Sequence, residues 1–284
     1  MSTKVTHKAT IDESTQGPLV EYLAAQTELS KMKIKKAIGA GGCWIKRSHV
    51  KRAKLQRLRK LKYVLTPGDE LAFYFDENAL TYAGDPPVCL YEGRDYGLWF
   101  KPVNMLSGPS RAGEVCAVDY QIAKQTGREQ VNVINRLDRE ASGIVAVGYT
   151  RKGSAMLSEL WRSGDVEKSY QLEVLGRPEP SKGVFDSKIE GKPARTAYEV
   201  VETRTDKKGR ETSFVSAVIE TGRFHQIRRH FAKAGFPVMG DPRYGKDNGH
   251  PLGLRLVSSG VRYRCPIRKK DVSVEVPPDK RLWS

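Results

Sequence analysis

An α+β architecture is predicted for this 284-residue chain: a large domain with a mainly antiparallel or mixed central sheet and flanking helices, preceded by a small α/β module. Two observations carry that prediction. From about residue 89 onward, strand-like runs follow one another with few helices between them, unlike the regular alternation of a doubly wound sheet. Before that point a helix–helix–strand pattern is set off by Gly84, Asp85, Pro86 and Pro87, a linker composition. The expected division is a poorly ordered tail over 1–14, a small module over 15–76, a linker over 77–88 and a second domain over 89–284.

Each element has a local reason. Leu19, Val20, Leu23, Ala24 and Leu29 recur at helical spacing. Ser30 can cap a second helix whose apolar residues are Met32, Ile34, Ala37 and Ile38, and the glycines between 39 and 42 stop it. Short strands follow at 43–45 and 71–75, the second entered through the Pro67-Gly68-Asp69 turn. In the second domain, strand-like runs occupy 96–101, 143–149, 169–175, 197–201, 213–220 and 272–276. Helical spacing fits 115–126, 151–162 and 225–234. No internal repeat or low-complexity segment is visible.

The formal charge is +16, from 49 Lys and Arg against 33 Asp and Glu. Such an excess points to a polyanionic partner, of which nucleic acid is the commonest. Its distribution strengthens the inference. No acidic residue occurs between Glu28 and Asp69, while Lys46, Arg47, Lys51, Arg52, Lys54, Arg57, Arg59, Lys60 and Lys62 crowd one stretch. A merely solvated surface mixes both signs. No apolar run reaches the length of a membrane span, and the first residues lack the apolar core of a secretory signal, so a cytoplasmic protein without membrane contact is expected. Cys43, Cys89, Cys116 and Cys265 are widely spaced, which suggests neither a disulfide framework nor a zinc site.

The chemistry-bearing segment is Asn135-Arg136-Leu137-Asp138-Arg139-Glu140-Ala141-Ser142-Gly143, a polar turn between two apolar runs. Strands on both sides would place it at a sheet rim, with Asp138 held on a fixed backbone. His225 and His230 lie five apart and so face different ways on a helix, which argues against a metal pair and leaves His225 as a hydrogen-bonding buttress. Ser142-Gly143 lacks the nucleophile-elbow setting of a serine hydrolase. No phosphate loop or dinucleotide fingerprint is present.

Further segments complete a set: Lys101-Pro102-Val103-Asn104-Met105, Lys168-Ser169-Tyr170, Ala194-Arg195-Thr196-Ala197, residues 221–230 (TGRFHQIRRH) and residues 240–245 (GDPRYG). In this order, from about Tyr91 onward, they resemble the RluA-type RNA pseudouridine synthases. Two positions depart from that pattern, Asn135 where the family has His and Ala141 where it has Thr. Residues 18–75 are similar to the αL RNA-binding module of ribosomal protein S-four, with a longer basic connection.

The resemblance implies isomerisation of uridine within RNA, ribosomal RNA being favoured over transfer RNA, with no cofactor or metal. It makes Asp138 the catalytic carboxylate, either attacking the anomeric carbon or removing the neighbouring sugar proton. Arg228 is implied as its cationic partner, Tyr170 as the ring against the target base, and Arg136 as a wedge filling the space of the extruded base or as a phosphate contact. Leu254 and Leu256 are candidates for an apolar pocket wall, with core packing expected for at least one of them. Lys46, Arg47, Lys51, Arg52, Lys54 and Arg57 are the expected phosphate contacts. The alternative, motivated by Asn135 and Ala141, is a catalytically inactive RNA-binding or ribosome-assembly factor; a nucleotide hydrolase is a weaker one. A monomer is the default expectation.

Overall fold

The computed structural model describes residues 3–283. Contacts divide the chain into two units, one comprising 1–83 and 108–124, the other 84–107 and 125–284. The first unit holds β1 (Lys4–Thr10), α1 (Leu19–Thr27), α2 (Lys31–Gly39), β2 (Cys43–Lys46), β3 (Gln56–Arg57), β4 (Glu70–Asp76) and, at its end, most of α3 (Val118–Thr126). Its sheet runs β1-β4-β2-β3, all antiparallel. As expected, the Ser30 hydroxyl accepts from the Lys33 N–H and caps α2. Leu19, Leu23, Ile34 and Ile38 are fully buried against Cys43, Ile45, Phe73 and Phe75. Met32, by contrast, is 77% exposed and stays off that core.

Two expectations about the first unit need correction. Residues 4–10 are not a tail. They pair with the whole of β4 and alternate in burial, Val5, His7 and Ala9 turning toward the core side. Nor does the first unit end at residue 76. The segment 108–124 belongs to it, tied by the Glu114 N–H to the Ala40 carbonyl (3.1 Å) and by Arg57 to the Ser110 carbonyl (2.7 Å).

The second unit carries β5 (Val88–Glu92), β6 (Tyr96–Lys101), β7 (Ser142–Gly148), α4 (Arg151–Ser163), β8 (Val166–Leu175), β9 (Lys182–Asp186), β10 (Arg195–Thr205), β11 (Glu211–Ile219), α5 (Gln226–Lys233), β12 (Leu256–Cys265) and β13 (Lys270–Glu275). They form one mixed sheet in the order β9-β10-β11-β8-β12-β7-β6-β5, with β13 adding to β12. β7 and β12 pair in parallel, and the other neighbours are antiparallel. All seven residues of β7 are buried, in keeping with its position inside the sheet.

Two local irregularities prepare the site. Gly143 has φ +119°, and a Cβ there would lie 2.3 Å from the Ser258 carbonyl oxygen, so only glycine lets β7 approach β12. Between Ser169 and Tyr170 the β8–β12 register shifts, a bulge that re-aims Tyr170 beside Ser258.

Candidate active site

Asp138 sits in the turn that enters β7, with its side chain 20% exposed. Its turn is pinned from both ends. Ser107 Oγ accepts from the Leu137 N–H (2.9 Å) and donates to the Leu137 carbonyl (2.7 Å). The Ala141 carbonyl is held at 2.6 Å by Lys101 Nζ, which also donates to the carbonyls of Pro102 (3.0 Å) and Met105 (2.9 Å). Lys101 is fully buried, and burial pushes its pKa down to about 7. Three carbonyls nevertheless match the three N–H bonds that only the ammonium form has.

Lys101 therefore acts as a fastener. In Lys101→Met the three carbonyls lose their donor, at about 1 kcal/mol or more each, so thermal unfolding should show a loss of about 3 kcal/mol. The turn carrying Asp138 should loosen with it, seen as faster amide exchange at Ala141 and Ser142.

Each carboxylate oxygen of Asp138 faces a donor. Arg228 Nη1 reaches Oδ2 at 2.7 Å, and His225 Nε2 stands 3.4 Å from Oδ1. Arg228 lies in the first turn of α5, which follows the 221–225 loop, and is 2% exposed. Its Nε and Nη2 grip Asp241 at 2.7 and 2.8 Å. Burial works against the guanidinium charge, but the hydrogen bonds it donates to Asp241 and Asp138 outweigh it and hold its pKa above the ordinary arginine value. Burial likewise opposes ionisation of Asp241, yet Arg228 and the backbone N–H groups of Arg243 and Tyr244 hold its pKa below the usual range.

His225 Nδ1 and Arg229 Nε–H both lie 3.0 Å from the Tyr244 hydroxyl oxygen, which fixes the imidazole with Nε2 on the Asp138 side. His225 is held in the left-handed region (φ 55°) just before α5, with its ring stacked on Phe224. Burial lowers its pKa, so the imidazole is neutral at pH 7. Tyr244→Phe removes the hydroxyl that holds the imidazole through Nδ1, and turnover in single-turnover kinetics should fall on the order of 10–100-fold.

The carboxylate opens onto a cavity of about 110 Å³ whose lining includes Arg136, Tyr170, Ile219, Ile227, Leu256 and Ser258. Tyr170 is 9% exposed, and burial pushes its phenol up to about 12, so the ring is neutral. Of the residues expected from sequence, Asp138, Tyr170, Arg228, Arg136 and Leu256 meet here, and His225 is a buttress as anticipated. Leu254 is a core residue in the same cluster as Leu256, in line with the core packing expected for one of the pair. Asn135 spans the backbone of β7, donating to the Ile144 carbonyl (3.3 Å) and accepting from the Ala146 N–H (2.7 Å). Ala141 is buried. Asn135 thus ties the chain entering the turn to the backbone of β7.

Asp241, Lys101, Ser107 and Tyr244 carry roles that spacing does not announce: a second carboxylate on one guanidinium, or a phenol shared by two side chains, leaves no mark in the sequence pattern.

The expected phosphate contacts lie in the first unit. Lys51, Arg52 and Lys54 are exposed. Lys46 is paired with Glu70 at 2.6 Å, and Arg47 lies over the Tyr63 ring. Arg57 does not fit the expectation. Its guanidinium donates to the Gly41 and Ser110 carbonyls and stacks on Trp44, so it is spent on holding its own unit together. Among the described residues no cluster of three or more His, Cys, Asp or Glu is arranged to hold a metal ion, and no helix is long and apolar enough to cross a membrane.

Residues 95–233 match the family described as RNA pseudouridylate synthase. The dual-specificity RNA pseudouridine synthase RluA of Escherichia coli strain K12 is 31% identical over 186 residues, 60% of this chain and 82% of that protein. The same-named protein of Salmonella typhi is 30% identical over 209 residues, 68% of this chain and 93% of that one. Among solved structures, human RNA pseudouridylate synthase domain containing 1 superposes with a TM-score of 0.60 at 21% identity, covering 70% of this chain and 87% of that chain. The domain-containing-4 protein follows at 0.55 and 18%, covering 67% and 88%. These two likenesses bear on the fold alone. Relatives 30–31% identical, of which the chain covers 82% and 93%, make it a member of the RluA-type RNA pseudouridine synthases, an isomerase that acts on uridine in RNA.

Proposed function

We propose that Asp138 is the catalytic carboxylate of this isomerase, that Tyr170 receives the extruded uracil, and that Arg228 and His225 orient the carboxylate. One observation carries the reading: both oxygens of Asp138 are engaged, at 2.7 and 3.4 Å, by groups whose own positions are fixed, at the edge of a cavity walled by a buried aromatic ring. A ring-sized cavity suits a single pyrimidine flipped from its stack, and Arg136, exposed at its rim, suits the vacated space. The reaction breaks the N1–C1′ bond of uridine, turns the base and joins C5 to C1′. The C5 proton leaves and N1 gains one, so the product is an isomer. Asp138 serves either by attacking C1′ or by removing the C2′ proton. In both roles a pre-oriented carboxylate lowers the barrier by positioning.

The first unit is, in this reading, an RNA-binding module like that of ribosomal protein S-four, and it favours ribosomal RNA over transfer RNA. Its first 83 residues lie outside the family match, which begins at residue 95. Exposed Lys51, Arg52 and Lys54 then contact phosphates as the protein binds its RNA as a monomer. Replacing these three by Gln should make the dependence of log K on log salt shallower by about two to three, with affinity falling for every RNA tested alike. Incubating purified protein with large-subunit ribosomal RNA and with transfer RNA transcripts, then mapping pseudouridine by a selective chemical adduct, tests the preference. Product in ribosomal RNA is expected. Product in transfer RNA alone would remove the assignment of the first unit.

The inactive-factor alternative, motivated by Asn135 and Ala141, is tested by the same adduct map, in which no product in either RNA would favour it.

A further inference from the structure

The sheet of the first unit has a second face, turned away from α1 and α2, that the catalytic reading leaves unused. Register places Lys8 and Trp44 on either side of Ala72, and Thr10 and Lys46 on either side of Glu70. Ala72 is the small floor of a cavity of about 660 Å³, bordered by Lys8, Trp44, Leu55, Tyr74 and Arg111.

The aromatic walls are ordered in advance. The Arg57 guanidinium lies 4.5 Å from the Trp44 ring centroid and is itself fixed by the carbonyls of Gly41 (2.8 Å) and Ser110 (2.7 Å). The indole N–H donates to the Arg111 carbonyl at 2.9 Å. The Arg111 guanidinium lies 5.7 Å from the Tyr74 ring centroid. A tryptophan serving only as core would be covered; this one is half-buried and borders open space with its polar atom already satisfied. Around the cavity the charge is positive. Lys8 and Arg111 are exposed at its border, Lys54 adjoins Leu55 in sequence, and the single rim carboxylate, Glu70, is neutralised by Lys46 at 2.6 Å.

We propose that this groove binds unpaired bases of single-stranded RNA, with Trp44 and Tyr74 as stacking surfaces and Lys8 and Arg111 meeting the phosphates. Rings held rigid and backed by guanidinium groups are what base stacking needs, and a duplex keeps its base faces out of their reach. An acidic peptide would use the cations but leave the two ordered rings without a matching partner. The groove reading rests on the first unit as an RNA-binding module but not on Asp138, and the stacking rings make its failure separable from that of the phosphate contacts.

The test uses the full chain and a labelled oligoadenylate of about 12 nucleotides, which offers no uridine to the catalytic cavity. Fluorescence anisotropy is followed across a salt series. A Trp44→Leu, Tyr74→Leu double variant is expected to bind about 10- to 100-fold more weakly, with an unchanged slope of log K against log salt. Unaltered affinity overturns the proposal. So does a loss accompanied by a shallower slope, which would mark phosphate contacts alone. Polyglutamate displacing the RNA as well as unlabelled oligoadenylate does would likewise overturn it in favour of an acidic protein partner. Ultraviolet cross-linking of the wild-type chain to oligouridylate needs no substitution: adducts on peptides carrying Trp44 or Tyr74 are expected, and adducts confined to other peptides contradict the groove.

Discussion

Asp138→Asn is expected to abolish pseudouridine formation, by about 10³-fold or more, while RNA affinity changes less than about threefold. Asn keeps the shape of the carboxylate, and its oxygen can still accept from Arg228. It is neither a nucleophile nor a base at neutral pH. The loss therefore concentrates in turnover. The affinity is expected to hold because phosphate contacts from elsewhere dominate binding. Single-turnover kinetics at saturating protein, beside a binding isotherm on the same RNA, separates the two. A parallel fall in both would make Asp138 a binding residue.

Arg228→Met should show the second-largest effect, and it should be visible in stability before activity is measured. Arg228 is 2% exposed, and Asp241 has a side chain of 0% exposure whose oxygens meet Nε and Nη2 at 2.7 and 2.8 Å. Removing the guanidinium strands a buried carboxylate, a change that typically costs about 3–5 kcal/mol. Asp241 must then take up a proton on folding, so the defect should shrink as pH falls. The sign follows from linkage: with Arg228 present the folded state holds the Asp241 pKa below the ordinary value, and that contribution is lost on acidification. Without Arg228 the folded state raises the pKa instead, and acid relieves the strain. The Arg228→Met, Asp241→Leu double variant should recover much of the stability, since replacing both partners leaves no buried charge. It should recover none of the turnover, because Asp138 still lacks its partner. Urea unfolding at several pH values, with turnover on the same samples, checks both statements.

Much of this architecture was legible because its causes are local. Ser30 and the apolar spacing of α2 mark a capped helix, and the unbroken apolar run after Ser142 marks a fully buried strand. Elements escaped where the local signal is weak or the cause lies far away in sequence. β1 reads as a polar terminus because only Val5, His7 and Ala9 alternate inward, and it becomes a strand through pairing with β4. β12 was missed altogether, although it lies between β8 and β7. Its Ser258-Ser259-Gly260 sequence interrupts the apolar pattern, and these residues sit where the bulge and the β7 approach shape the pocket. Likewise, 108–124 joins the first unit through contacts with Ala40 and Arg57 that no sequence pattern announces.

The site was legible to a different degree. Asp138, Tyr170 and Arg228 stand in segments whose order is specific as a set, so they were legible as candidates before any geometry. Their supports were not. Asp241 completes Arg228 across 13 residues, Ser107 pins Leu137 across 30, and Lys101 holds Ala141 across 40. Arg57 shows the opposite error: a basic residue in a basic run reads as a phosphate contact, but its two carbonyl partners keep it inside its own unit.

The most direct measurement is a transcriptome-wide map of pseudouridine adduct stops in cells lacking this protein, complemented either with the wild-type chain or with Asp138→Ala. Stops that vanish in the deletion, return with the wild type and stay absent with Asp138→Ala are the predicted result, and their place in ribosomal RNA would agree with the proposed substrate. Stops restored equally by both chains would contradict a carboxylate at position 138 as the group that makes the new glycosidic bond possible.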